Sequence, residues 1–140
     1  MAQKAKKRIV LDTNILISAF VYPGGAITEI MDEAISGIHD VFISYDVIEE
    51  LSRVLMLKFE KNKAYTDGLA EFLTSVFNVV PVTLNLSGIC RDPMDDKILA
   101  AAVEHKADYI ITGDKDILEL KKYKGIIMVT ASDFIKTGNL

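Results

Sequence analysis

The chain has 140 residues, 50% of them hydrophobic and 26% charged, with 16 basic against 20 acidic side chains and a formal charge of −4. That is the length of one domain, long enough to bury a core without staples and too apolar for intrinsic disorder. A single cysteine, Cys90, excludes an intrachain disulfide and points to a reducing cytoplasm.

Residues 1–7 read as a flexible basic N-terminus on a single domain spanning 1–140. The apolar run Ile9-Val10-Leu11 stops at Asp12, too soon for a signal peptide or a membrane span, so no membrane association is expected. Residues 8–12 predict a strand. Residues 14–20 and 26–35 predict helices, divided by Tyr22-Pro23-Gly24-Gly25, a strong loop signal. Residues 41–44 predict a strand, 46–57 a helix and 65–77 another helix. Residues 79–84 read as a strand whose Pro81 lacks an N–H to donate, which assigns it to a sheet edge. A helix over 93–104, a strand over 109–112, a short helix over 117–122, a strand over 126–129 and a short helix over 132–136 complete the chain. Strand and helix alternate, and the strands are apolar runs without strict alternation, as happens when both faces are covered. The expected architecture is α/β: a three-layer α/β/α sandwich with a central parallel sheet of about five strands.

Ligands of open parallel α/β sheets bind beyond the carboxyl ends of the strands. Asp12 follows one predicted strand, and Asp114 and Asp116 follow another. If those strands are parallel, the acids share one edge. In the helix over 46–57 the apolar residues Val47, Ile48, Leu51, Val54 and Leu55 form one stripe. Glu50 sits on its border and leans toward the body of the protein, whereas Glu49 faces water. Asp92 before Pro93 is a good cap-then-first-turn pair for the helix over 93–104. Asp95 falls within that helix's core stripe of Ile98, Leu99, Ala102 and Val103, and Asp96 lies near its margin.

Each acid has an ordinary explanation. Asp92, Asp95 and Asp96 favour the positive end of a helix, Asp12 and Asp114 suit turns, and Glu50 can pair with Arg53. Convergence changes the balance, because several carboxylates in one cleft repel one another and lose hydration. A divalent cation removes that conflict, and oxygen-only donors indicate Mg²⁺ or Mn²⁺ rather than Zn²⁺. Such a site suits phosphoryl chemistry, where a bound metal lowers the pKa of water and neutralises phosphate charge. His39 and His105 read as surface residues and Cys90 as structural or incidental. Basic clusters over 4–8, at Lys58, Lys61 and Lys63, and at Lys121, Lys122 and Lys124 are candidate nucleic-acid patches, and equally well plain solvated surface.

Four segments carry a resemblance: Val10-Leu11-Asp12-Thr13-Asn14; Glu49-Glu50-Leu51; Arg91-Asp92-Pro93-x-Asp95-Asp96-x-Ile98-Leu99-Ala100-x-Ala102; and the run from Ala107 through Thr112-Gly113-Asp114 to Asp116. With these in order from residue 9 to residue 134, the chain resembles the PIN-domain ribonucleases, in particular the VapC-like toxins of prokaryotic toxin–antitoxin pairs. The resemblance implies a three-layer α/β/α fold and cleavage of single-stranded RNA with Mg²⁺ or Mn²⁺, by metal-activated water. Carried over by position, Asp12, Glu50, Asp95 and Asp114 are the catalytic and metal-binding acids, with Asp116 a further metal ligand. Thr13, Asn14 and Thr112 support them by hydrogen bonding, and Asp92 and Asp96 stand behind them. Asp95 ranks above Asp96 by its place in the Asp-Pro-x-Asp motif and by its angle on the helix. An antitoxin protein that blocks the acidic cleft, a homodimer and a cytoplasmic location complete what the resemblance implies.

Two other readings stay open from sequence. One is a phosphatase or receiver-type domain that forms an aspartyl phosphate on Asp12, although Asn14 stands where such sites want a second acid; trapped phosphoaspartate would identify it. The other is a non-catalytic partner- or RNA-binding module with a structural metal, which would bind metal without cutting RNA.

Overall fold

The computed structural model describes residues 6–138. Ile9, Val10 and Leu11 form β1 (Arg8–Leu11) and are buried, which accounts for an apolar run without alternation. The chain continues through α1 (Thr13–Val21), α2 (Gly25–Ile35), β2 (Asp40–Ser44), α3 (Tyr45–Lys58), α4 (Lys63–Val76) and β3 (Asn78–Val80). After a long irregular segment come α5 (Pro93–Glu104), β4 (Tyr109–Ile111), α6 (Lys115–Glu119), β5 (Lys122–Tyr123), β6 (Ile126–Val129) and α7 (Ala131–Asp133), which runs into a π-helical stretch at Phe134–Gly138.

The strands form one sheet in the order β3-β2-β1-β4-β6-β5, with helices on both faces. β1 pairs in parallel with β2 on one side and with β4 on the other. In this register Leu11 lies beside Ile111, so the residues that follow them emerge together at the carboxyl edge. Helix α5 packs over β1, β2 and β4 and buries Ile98, Leu99 and Ala102 against the sheet. No single helix among the described residues is long and apolar enough to cross a membrane.

The helices start where capping side chains sit. Ser44 Oγ accepts from Val47 N at 3.1 Å and opens α3, and Asn62 Oδ1 accepts from Tyr65 N at 2.8 Å and opens α4. Asp92 Oδ1 accepts from Met94 N at 2.9 Å, with Pro93 in the first turn of α5. Asp12, directly after β1, caps α1, and Asp114, three residues after the end of β4, caps α6. Helices thus begin where β1 and β4 leave the sheet, which gathers positive helix ends at its carboxyl edge.

Four expectations are corrected. The sheet has six strands, because Lys122–Tyr123 turns back and pairs antiparallel with β6. The helix predicted over 117–122 instead spans Lys115–Glu119, and Lys121, at φ 58°, breaks away from it to enter β5. The strand predicted over 79–84 keeps only its first part. Beyond Pro81 the chain leaves the sheet, and Glu104 Oε1 takes it up by accepting from Thr83 N, Thr83 Oγ1 and Leu84 N at 2.8, 2.8 and 2.6 Å. β3 is nonetheless at a sheet edge, as Pro81 implied.

His39 is the fourth correction. It is 3% exposed, its Nε2 lies 3.0 Å from Glu33 Oε1, and its ring meets Phe134 edge-on at 5.4 Å. The residues that cover it come from α2 and the far end of the chain, so a local reading placed it at the surface. His105 is partly buried, stacked on Phe42 at 5.9 Å, with its Nε2 2.9 Å from the Pro81 carbonyl oxygen. Lys7 extends the alignment with β2 by accepting from Asp40 N at 2.9 Å, and Lys6 pairs with Asp40 at 3.2 Å. Residues 1–5, including Lys4 of the basic cluster, lie outside the described residues.

Candidate metal centre

Leu11 and Ile111 end side by side, so Asp12 and Thr112 are neighbours across the sheet. Thr112 is fully buried and its Oγ1 donates to Asp12 Oδ2 at 2.8 Å. The same Oγ1 accepts from Asp114 N at 2.9 Å, so one threonine joins the two strand-end acids. Asp12 Oδ1 accepts from Thr13 N at 2.7 Å. Asp114 Oδ1 accepts from Asp116 N at 2.8 Å and from Ile117 N at 3.3 Å. These bonds fix both carboxylates before any ligand arrives.

Helix α5 supplies the third acid. Its core stripe faces the sheet, and the first turn of that stripe brings Asp95 over the carboxyl edge. Asp95 is 7% exposed, and its Oδ2 is buried with no hydrogen-bond partner among the described residues. Carboxylate oxygens of Asp95, Asp114 and Asp116 lie within 4.8 Å of one another. Burial pushes the Asp95 pKa up to about 7, with the charges of Asp114, Asp12, Asp92 and Asp116 adding to it. Asp12 is also raised, first by burial, against the lowering pull of its bonds to Thr112 and Thr13.

Glu50 stands on α3, half-buried, while Glu49 is exposed as its helical angle requires. Its pKa is raised by burial and then by the charge of Asp12, with Arg53 pulling the other way. The buried Thr13 hydroxyl faces Glu50 without closing a hydrogen bond and offsets part of the rise. Asp12 and Glu50 lie outside the group of three at ligand spacing, yet the charge of Asp12 acts on both Asp95 and Glu50. Asn14 is exposed at the start of α1.

The donor set fits a hard divalent cation. It is all carboxylate oxygen, it includes an unpartnered buried atom, and its mutual repulsion raises the Asp95 pKa. Neither His39 nor His105 reaches it; both bond elsewhere.

Two residues have partners that sequence reasoning did not identify. Asp96 is buried and its Oδ1 accepts from Cys90 N at 2.7 Å, so it anchors the loop before α5 instead of joining the three acids. Arg91 Nη2 lies 3.0 Å from Asp116 Oδ1, placing a cation on the rim of the cluster. Its adjacency to the helix cap Asp92 was the only signal available.

The family model described as PIN domain matches residues 8–116, most of the chain and all of the acids above. The chain belongs to the PIN domain family. A relative from Methanocaldococcus jannaschii, an uncharacterized protein, is 33% identical over 123 residues, covering 85% of this chain and 78% of its own length. Among solved structures, the chain is similar to one of VapBC2 from Rickettsia felis, bound to a DNA fragment from its promoter. That match has a TM-score of 0.64 at 16% identity over 88% of this chain and 98% of that one. The PIN domain endonuclease Utp24 matches with a TM-score of 0.54 at 21% identity over 88% of this chain and 85% of that one. At such identities the likeness concerns the PIN fold.

Proposed function

We propose that the chain is a metal-dependent endoribonuclease that cleaves single-stranded RNA, and the toxin of a toxin–antitoxin pair. The observation that carries the reading is Asp95: a buried carboxylate with an unpartnered oxygen, within 4.8 Å of the oxygens of two other aspartates. Asp95, Asp114 and Asp116 would hold Mg²⁺ or Mn²⁺, with Asp12 and Glu50 completing the negative field around it. When bound, the cation lowers the pKa of water and neutralises charge on the phosphodiester.

The chain's own residues set the stage for that chemistry. Thr112 orients Asp12 and, through the Asp114 N–H, aligns the second strand-end acid. Asp92 and Pro93 fix the start of α5 and so the reach of Asp95. Both Asp12 oxygens already accept hydrogen bonds, which favours a fixed carboxylate beside the ion over a nucleophile that must attack phosphorus and argues against the aspartyl-phosphate reading. Similarity to a chain from a VapBC complex supports a small antitoxin protein as partner. A homodimer and a cytoplasmic site of action belong to the same proposal.

The test is cleavage of a mixed RNA pool with and without Mn²⁺, by wild type and Asp95→Asn. Mn²⁺-dependent cutting by wild type, lost in the variant, is the expected result. Metal binding without cutting of any RNA would turn the reading toward the non-catalytic module, and equal cutting by both proteins would remove Asp95 from the site.

A further inference from the structure

Beside the acids, between residues 89–91 and α6, lies a hollow of about 300 Å³ lined by Ile89, Cys90, Arg91, Asp116, Glu119 and Leu120. It shares Asp116 with the acid cluster, so whatever occupies it touches the neighbourhood of the reacting phosphate. Its loop wall is held in place from below, because the buried Asp96 carboxylate accepts from Cys90 N. Arg91 at its mouth is not explained by stability. Its side chain is 83% exposed, and an exposed ion pair of this kind contributes little to folding. What the pair does is keep a guanidinium 3.0 Å from one of three carboxylates at metal-ligand spacing. A carboxylate shared with a cation holds a guanidinium less tightly, and a guanidinium is a fork-shaped donor suited to phosphate. Ile89 and Leu120 add apolar surface on which a nucleobase can rest.

We infer that this hollow is a nucleotide subsite of the proposed nuclease, in which Arg91 holds a backbone phosphate next to the one that is cut, and Ile89 and Leu120 carry the attached base. The inference rests on the nuclease reading. Arg91 exchanges its bond to Asp116 for one to RNA. The occupant is a single-stranded RNA segment with its base unpaired, because a duplex would hold that base in its stack.

Binding separates this from general charge attraction. A fluorescent single-stranded RNA oligonucleotide is titrated by anisotropy, over a range of salt, against Asp95→Asn protein so that the RNA stays intact. Adding Arg91→Ala is expected to weaken binding about tenfold and to make the salt dependence shallower by about one counterion. Arg91→Lys restores part of the affinity. Ile89→Ser weakens binding of intact RNA more than of RNA abasic at the nucleotide beside the cut. Lys136 is exposed, in the stretch whose Phe134 packs on His39 and Tyr109 at the amino ends of β2 and β4, away from the acids; it serves as the control, and Lys136→Ala leaves affinity within about twofold. Equal losses from Arg91→Ala and Lys136→Ala, or no loss from Arg91→Ala, overturn the subsite. Wild-type cleavage is measured in parallel: cutting together with an indifferent Arg91 refutes the subsite alone, whereas neither cutting nor binding refutes the nuclease reading as well.

Discussion

Thr112 Oγ1 donates to Asp12 Oδ2 at 2.8 Å across two adjacent parallel strands, with both residues buried. Without that donor, Asp12 would keep a buried oxygen facing an apolar gap. Thr112→Val is nearly the same shape, so it removes this bond and the one its Oγ1 accepts from Asp114 N, and leaves the packing. The expected cost is about 2 kcal/mol, because a hydrogen bond to a buried charged group is lost. Urea denaturation measures it. RNA cleavage should fall by at least tenfold in the same variant while the far-ultraviolet circular dichroism is unchanged.

The acid cluster makes stability depend on pH in a stated direction. The Asp95 pKa is raised to about 7, and Asp12 and Glu50 are raised too. For acids whose pKa is higher folded than unfolded, the stabilising proton is fully in place below the unfolded value and is lost as pH rises through the folded one. Metal-free protein should therefore lose thermal stability from about pH 4 to pH 8. Asp95→Asn should flatten that decline and melt above wild type at pH 8. A metal-free wild type whose Tm climbs across this range would contradict the arrangement.

Divalent cation should act where protons do not compete for the same oxygens. The rise in Tm on adding Mn²⁺ is expected to be larger at pH 8 than at pH 5, and to be lost in Asp95→Asn. Differential scanning calorimetry at the two pH values decides this, and an equal rise in both proteins would place the ion elsewhere.

Glu104 fastens the segment that leaves the sheet after Pro81, through three accepted hydrogen bonds that also hold its carboxyl below the usual range. Glu104→Ala should release residues 82–90 without unfolding the sheet. Hydrogen exchange followed by mass spectrometry would show faster exchange confined to peptides from that segment. Loss of protection in β1 or β4 would mean that the segment supports the whole fold.

Helix α5 ends with Ala107 N bonded to Ala102 O at 2.9 Å and with Lys106 in a left-handed turn at φ 55°. A side chain in that conformation is strained and glycine is not. Lys106→Gly should stabilise the protein by about 1 kcal/mol, read from the urea midpoint, and should leave RNA cleavage unchanged.

The alternation of apolar runs with helix-period segments was enough to read a parallel sheet between helices, and the helical angles of Glu50 and Asp95 placed both as observed. Caps were legible because Asp92-Pro93 carries its own geometry. The losses have physical reasons. β5 is two residues long, and its pairing with β6 depends on backbone turns at Lys121 and Lys124 that side-chain patterns do not announce. Residues 82–84 look like a strand, but Glu104, distant in sequence, captures them first. His39 is covered by Phe134 from the far end of the chain and Asp96 bonds the Cys90 N–H from the preceding loop, so the burial of the first and the partner of the second could not be read from their own segments.

β1 precedes the other strands of this sheet in the chain, sits in its middle and waits for β4 on one flank. Asp12 therefore leaves the ribosome ahead of Thr112 and Asp114, which complete its surroundings and lie about 100 residues behind it. A ribosome that has released β1 but not yet β4 therefore holds no assembled cluster.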